Sequence, residues 1–384
     1  MRYFKKLLLI FLCWRLLLFL PLLFLSYLPK VQGNGYVFLD YYEKLRFPLN
    51  NIFLSAWANF DGVHYLSIAA NGYTTDARFL PLLPVLIKMI SLFIPFRLTL
   101  TLAYFIAFIL SNGLFFFSLI LLYKLLRFDY SHTVVKRVIL FLMVFPASFF
   151  FGSVYAESLF LFVSVLNLYL LRQKKFLFAG LLGALLPLIR PVGIIIFPTF
   201  LAELFIAETK KNPIPLWKKI ILSPVTLTGF IGYAVFNKMK WNDYFYFIHA
   251  QGQLANGRAT NTIILFPHTL YRYFKIFATI PVSDHLWHVA LLEVFAFFFG
   301  LVLLYVCYRK RIRLSYLVFA FFGFFIPVSS GTFTGLPRYL IVLFPLFLAI
   351  ALIRNNGIKI IYVIISIILS AILLMLFAGG YYIA

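Results

Sequence analysis

Apolar runs near or above the roughly 18 residues that a helix needs to cross a bilayer recur from Leu7 to Ile383, separated by polar connections. They lack the alternation over ten-residue segments that marks a membrane β-barrel. The pattern predicts an all-α polytopic membrane protein with about 11–12 transmembrane helices. The first run, Leu7 to Leu28, is too long for a signal-peptide core and lacks a small-residue cleavage site, so it is expected to remain as the first spanning helix. No soluble domain interrupts the pattern, and residues 1–384 read as a single transmembrane domain.

The polar residues between the runs are ordered by sign. Lys5/Lys6, Lys136/Arg137, Arg172/Lys174/Lys175, Lys210/Lys211/Lys218/Lys219 and Arg309 to Arg313 form short clusters, as cytoplasmic connections do. With the N-terminal Lys pair inside, residues 29–78 make a large first extracytoplasmic loop and residues 237–288 a second. The turns Ser153 to Ser158, Arg190 to Gly193 and Ser329 to Arg338 fall on the same face. So do Asp40, Glu43, Asp61, Asp76, Glu157, Asp243 and Asp284, seven of the eleven acids, which places the chemistry there. One stretch resists this order: Phe79 to Arg127 reads as two helices broken at Ile94 to Arg97, which would leave Lys124 and Arg127 outside. Either Phe79 to Ile94, with Pro81 and Pro84, is a partial span, or the charge rule fails locally.

Composition narrows the function. The chain is 64% hydrophobic, 20% aromatic and 12% charged, about half the charge of an ordinary globular protein. A formal charge of +23 would suggest nucleic acid in a soluble protein, but the bases here lie in short connections and no basic soluble module exists, so no nucleic-acid partner is expected. Two cysteines, Cys13 and Cys307, build neither a disulfide framework nor a zinc site. There is no Walker loop or dinucleotide fingerprint, and neither a cofactor nor a metal is expected.

An ion near hydrocarbon costs several kcal/mol unless it is paired or wetted, so retained charges mark candidate sites. Asp61 and Asp76 lie in NFDGVHYLSIAANGYTTDARFLPLLP, Asn59 to Pro84. His64 follows Asp61 by three residues, one turn on a helix, and can orient it. In FPASFFFGSVYAES, Tyr155 and Glu157 sit at a turn, where the acid serves a sugar hydroxyl or simply caps a helix. In LIRPVG, Arg190 stands before a Pro191/Gly193 break, either a snorkelling side chain or part of a cradle for a lipid phosphate. In SSGTFTGLPRYL, Arg338 follows a Gly-rich turn, either as an interfacial anchor or as a bidentate phosphate ligand. The polar stretch His249 to Asn261 is expected to shape an acceptor site.

NFDGVHYLSIAANGY with FLPLLP, then FPASFFFGSVYAES, LIRPVG and GLPRYL, in that order, resembles the PIG-V family of GPI mannosyltransferase 2 and its bacterial relatives. The resemblance implies a GT-C class glycosyltransferase that moves a hexose, usually mannose, from a polyprenyl-phosphate carrier to a lipid-linked or glycan acceptor on the extracytoplasmic face. It implies Asp61 as the base, with inversion at the anomeric carbon. The family usually has Trp where this chain has Phe60, and Glu where it has Asp76, a change that keeps the charge and shortens its reach. The expected site is thus Asp61, Asp76 and Glu157 for catalysis, with His64, Tyr155, Arg190 and Arg338 binding substrate. The expected location is the plasma membrane of a prokaryote or the endoplasmic reticulum of a eukaryote. A transporter or lipid flippase is the rival reading; it would place its charges near the midplane and show related halves.

Overall fold

The computed structural model describes residues 2–27, 52–74, 77–208, 214–253 and 258–383. Among them the protein is helical, with one isolated bridge, Ile264 to Ser330, and no strands. Four helical stretches are long and apolar enough to cross a membrane. The first runs from Phe4 to Tyr27, through α1 (Arg2–Leu17) and a 3-10 turn. The others are Leu100–Leu126, His285–Arg309 and Asn356–Ala378. Lys219–Val225 and Thr228–Trp241 make a fifth if counted together, bent by 47° just after Pro224. The remaining apolar runs, each read from the sequence as one spanning helix, are built from shorter pieces. The physical cause is proline: Pro146, Pro187, Pro191, Pro337 and Pro345 stand at or near the breaks, where a missing N–H and a ring clash interrupt the helical ladder.

The stretch that resisted the charge rule takes the first of its two alternatives. After α2 (Asp61–Asn71), α3 (Leu82–Ser91) has 10 residues. That is about 15 Å of helix, half the hydrocarbon thickness, so it does not cross. Leu83 and Ile87 face the core while Val85, Met89, Leu92, Phe93 and Phe96 are exposed. The chain then runs through α4 (Leu100–Leu126), long enough to cross, which carries Lys124 in its last turn and ends at Arg127. Ion pairs join several of the charged connections: Arg172 meets Asp129 at 2.5 Å, Lys219 meets Glu208 at 2.6 Å and Arg313 meets Glu203 at 2.5 Å.

A continuous apolar core runs from Leu7 to Ile383 and is rich in stacked rings. Between α5 (His132–Val144) and α6 (Glu157–Arg172), Phe149, Phe150 and Phe151 are wholly buried. Phe151 stacks on Phe115 at 4.3 Å, and Phe377 packs on Phe149 and Phe150 at 5.4 and 5.2 Å. The guanidinium of Arg15 rests on Trp57 at 3.7 Å, a cation–π contact that buttresses the segment leading to Asp61.

The LIRPVG break depends on its glycine. A Cβ at Gly193 would sit 2.2 Å from the carbonyl oxygen of Leu186, so two backbone segments touch there with no room for a side chain. Gly193→Ala is expected to destabilise the protein by about 1–3 kcal/mol through forced backbone movement, read as a lowered thermal unfolding midpoint in detergent. An unchanged midpoint would show that the contact is not a constraint.

Candidate functional site

Three segments distant in sequence are stitched together around Asp61. The N–H of Val154 donates to the Trp57 carbonyl at 2.8 Å, and the Tyr155 hydroxyl donates to the Asn59 carbonyl at 2.6 Å. Asn59 in turn donates to the Phe377 carbonyl at 2.8 Å, bringing in the last helix. Between Asn59 and Asp61, Phe60 has φ 55° and ψ −115°, a backbone conformation that side-chain-bearing residues rarely adopt. Its ring packs on Phe377 and Tyr382, and those contacts hold the strained bond pair in place. Asp61 thereby opens α2, where the helix dipole favours its negative charge.

The cations come from the two motifs with ambiguous arginines. Past α7 (Ile196–Ala207), α8 (His285–Arg309) and α9 (Leu314–Val328), the short helix α10 (Leu336–Ile341) carries Arg338. Its Nη1 donates to Asp61 Oδ2 at 2.7 Å and its Nε to Glu157 Oε1 at 2.9 Å. Arg190 Nη1 reaches the same Glu157 oxygen at 3.2 Å. The Arg338 guanidinium lies over Tyr155 at 4.7 Å and Phe150 at 4.9 Å, which fixes its plane. Burial pushes the Asp61 carboxyl up, but the Arg338 guanidinium, with His64 and Arg190, outweighs this and holds it below the usual carboxylate value.

A cavity of 440 Å³ opens beside this cluster, lined by Asp61, His64, Arg190 and Arg338 together with Arg258 and Tyr339. Arg258 Nη2 donates to the Thr334 carbonyl at 2.8 Å and Nη1 reaches the Tyr339 hydroxyl at 3.5 Å, while the Tyr339 ring lies under Arg190 at 4.5 Å. Arg78 lines it as well, so four guanidiniums face a space to which Asp61 brings the carboxylate. Such a space suits an anion with polar substituents. Asp61 and His64 are the pair that could contribute to a metal site, and no group of three His, Cys, Asp or Glu able to hold one exists among the described residues.

The residues named from sequence divide into three sets. Asp61, His64, Arg190 and Arg338 reach the cavity. Glu157 and Tyr155 do not: Glu157 is fully buried behind the two arginines, and the Tyr155 hydroxyl is spent on a backbone carbonyl. Asp76 lies outside the described residues. His64 is stacked face to face on Phe79 at 4.5 Å, with 5% of its surface exposed. The sequence reading missed Arg78, Arg258 and Tyr339. All three had a visible signal: Arg78 lies in the Asn59 to Pro84 stretch, Arg258 sits in the polar stretch already singled out, and Tyr339 adjoins Arg338 in GLPRYL.

Comparison with known proteins bears on this site. Residues 5–297 match the mannosyltransferase (PIG-V) family. The comparison with curated proteins gave no match. Among solved structures, the chain is similar to the Archaeoglobus fulgidus oligosaccharyltransferase in its complex with zinc and sulfate, at 15% identity and a TM-score of 0.43, over 86% of this chain. The matched region is 49% of that protein, so this chain corresponds to about half its length. The family match takes in the Asp61, Glu157 and Arg190 motifs, and the chain belongs to the mannosyltransferase (PIG-V) family of membrane glycosyltransferases.

Proposed function

We propose that this protein transfers mannose from a polyprenyl-phosphate carrier to a hydroxyl of a lipid-linked or glycan acceptor, on the extracytoplasmic face, with inversion. The observation that carries the proposal is the bridge of Arg338 between Asp61 and Glu157 at the wall of a cation-lined cavity. Asp61 Oδ2 is held by Arg338, and Oδ1 has no hydrogen-bond partner among the described residues. That oxygen takes the acceptor proton. The acceptor oxygen then forms its bond to the anomeric carbon as the bond from that carbon to the phosphate oxygen breaks, and the electron pair leaves with the phosphate. A single displacement of this kind inverts the centre.

The departing phosphate monoester gains a second negative charge. To Arg190, Arg258 and Arg78, which line the cavity, we assign its stabilisation, as preorganised cations provide. Glu157 does not touch the cavity; its role is to hold Arg190 and Arg338. Tyr155 supports the same plane from beneath. Asp76 stands two residues before Arg78 in sequence and is proposed as a second acid of the same loop. The proposed membrane is the plasma membrane in a prokaryotic host and the endoplasmic reticulum in a eukaryotic one.

The test is transfer of radiolabel from polyprenyl-phosphate mannose to extracted host lipids and proteins by the purified, folded protein. Label appearing in a lipid or glycan fraction supports the proposal. No transfer to any fraction would overturn it in favour of a transporter or flippase.

A further inference from the structure

Glu293 is a carboxylate in the middle of a 25-residue apolar helix, 4% exposed, and the transfer chemistry does not use it. Charge in such a place is costly and is kept for a reason. Its Oε2 accepts the Tyr273 hydroxyl at 2.5 Å and its Oε1 accepts the Gly335 N–H at 3.3 Å. The Tyr273 oxygen also accepts the Phe333 N–H at 2.9 Å and lies 3.2 Å from Thr332 Oγ1. Thr332 Oγ1 in turn lies 2.7 Å from Thr334 Oγ1 and accepts the Thr334 N–H at 3.2 Å. The Tyr273 ring stacks on Phe333 at 4.9 Å.

These bonds pin the backbone of residues 332–335 from one side. On the other side two of the four residues carry part of the cavity wall. Thr334 and Gly335 line the cavity, and the Thr334 carbonyl holds Arg258 at 2.8 Å. Gly335, at φ 76°, turns the chain into α10 and accepts the Arg338 N–H at 2.9 Å. Only glycine takes that conformation without strain, and its N–H is aimed at Glu293 because of it.

We propose that Glu293, with Tyr273, is a positioning residue: it clamps the 332–335 turn and so sets Arg258 against the donor phosphate. This rests on the transfer reading for the identity of the donor, but the clamp itself does not. A carboxylate kept merely to let the protein fold would change the amount of folded enzyme and leave the donor site of each folded molecule intact. A clamp makes a different demand. Loosening it must free the amides of Phe333 and Gly335 and weaken donor binding, with the acceptor site unaffected.

The experiment compares wild type with Glu293→Gln and Tyr273→Phe in detergent, by hydrogen exchange and by kinetics with farnesyl phosphate mannose as the donor probe. Tyr273→Phe removes one oxygen atom and keeps the stacked ring, so it carries the test if Glu293→Gln does not fold. In Tyr273→Phe, exchange across 333–335 should rise and the donor KM should rise, each by roughly tenfold, the loss expected for one or two buried hydrogen bonds. The acceptor KM should hold. Unchanged exchange, or raised exchange with an unchanged donor KM, overturns the proposal. If wild type transfers no mannose but exchange rises in the variants, the clamp stands and the transfer reading falls.

Discussion

Asp61→Asn should lower kcat by roughly 10²–10⁴-fold, the range that a positioned general base supplies, while leaving the protein folded. The amide keeps an oxygen for the Arg338 Nη1 that Asp61 Oδ2 now receives at 2.7 Å, so the geometry of the bridge survives and only the proton acceptor is lost. Kinetics of mannosyl transfer, normalised to folded protein, check it, and retention of more than about a tenth of the activity would remove Asp61 from the base role. The pH profile gives an independent reading. The folded-state pKa of Asp61 is depressed because the attraction of Arg338 outweighs the burial that raises it. A depressed carboxylate contributes its stabilisation above its unfolded pKa and loses it as pH falls through the folded value. Asp61 is therefore ionised across the neutral range, and no acid limb between about pH 5 and pH 8 should belong to it.

A carboxylate is a weak base toward a hydroxyl, so proton transfer from the acceptor becomes favourable only as the hydroxyl oxygen bonds to the anomeric carbon and turns acidic. The electrostatic demand of the proposed transfer then falls on the cations around the leaving group. In the proposed transfer Arg190, Arg258 and Arg78 meet that demand from the cavity wall.

Much of this was written in the chain, for reasons that differ by element. The charge clusters predict a sidedness because positive residues resist translocation wherever they occur, and the fold pairs Arg172 with Asp129 and Arg313 with Glu203. Helix lengths were less legible. A run such as Phe176 to Ala207 is apolar apart from Arg190, Thr199 and Glu203, but Pro187 and Pro191 divide it, and hydropathy does not register a break. Asp61, Arg190 and Arg338 were legible as charges that a membrane protein has no other reason to keep. Which of them face a cavity was not, because Arg338 and Asp61 are 277 residues apart and only the packed fold joins them. Tyr155 and Glu157 illustrate the limit: their motif marks the site, yet both serve from behind its wall. Arg258 lies in the polar stretch His249 to Asn261, whose sequence does not show that its one arginine turns toward a cavity.

Arg338 is the group on which the site turns, and its removal should cost more than that of either acid alone. Glu157 is fully buried, and its Oε2 has no hydrogen-bond partner among the described residues, so its desolvation is offset by the two guanidiniums at Oε1. Arg338→Ala leaves that carboxylate with Arg190 alone and deprives Asp61 of its partner. Breaking a buried pair from one side costs about 3–5 kcal/mol, because the remaining charge is stranded. Glu157→Gln removes the demand as well as the partner, so adding it to Arg338→Ala should restore about 1–3 kcal/mol relative to the sum of the two single losses. Denaturant or thermal unfolding of the four proteins in detergent measures this coupling, and simple additivity would mean that the bridge is not an energetic unit. Arg338→Lys separates charge from shape. Lysine keeps the cation but has no fork with which to reach Asp61 and Glu157 together, so it should recover stability while transfer stays at least about a hundredfold below wild type. Recovery of both would make Arg338 a simple counter-ion; recovery of stability alone would show that the site needs the fixed plane of a guanidinium to hold the base in place.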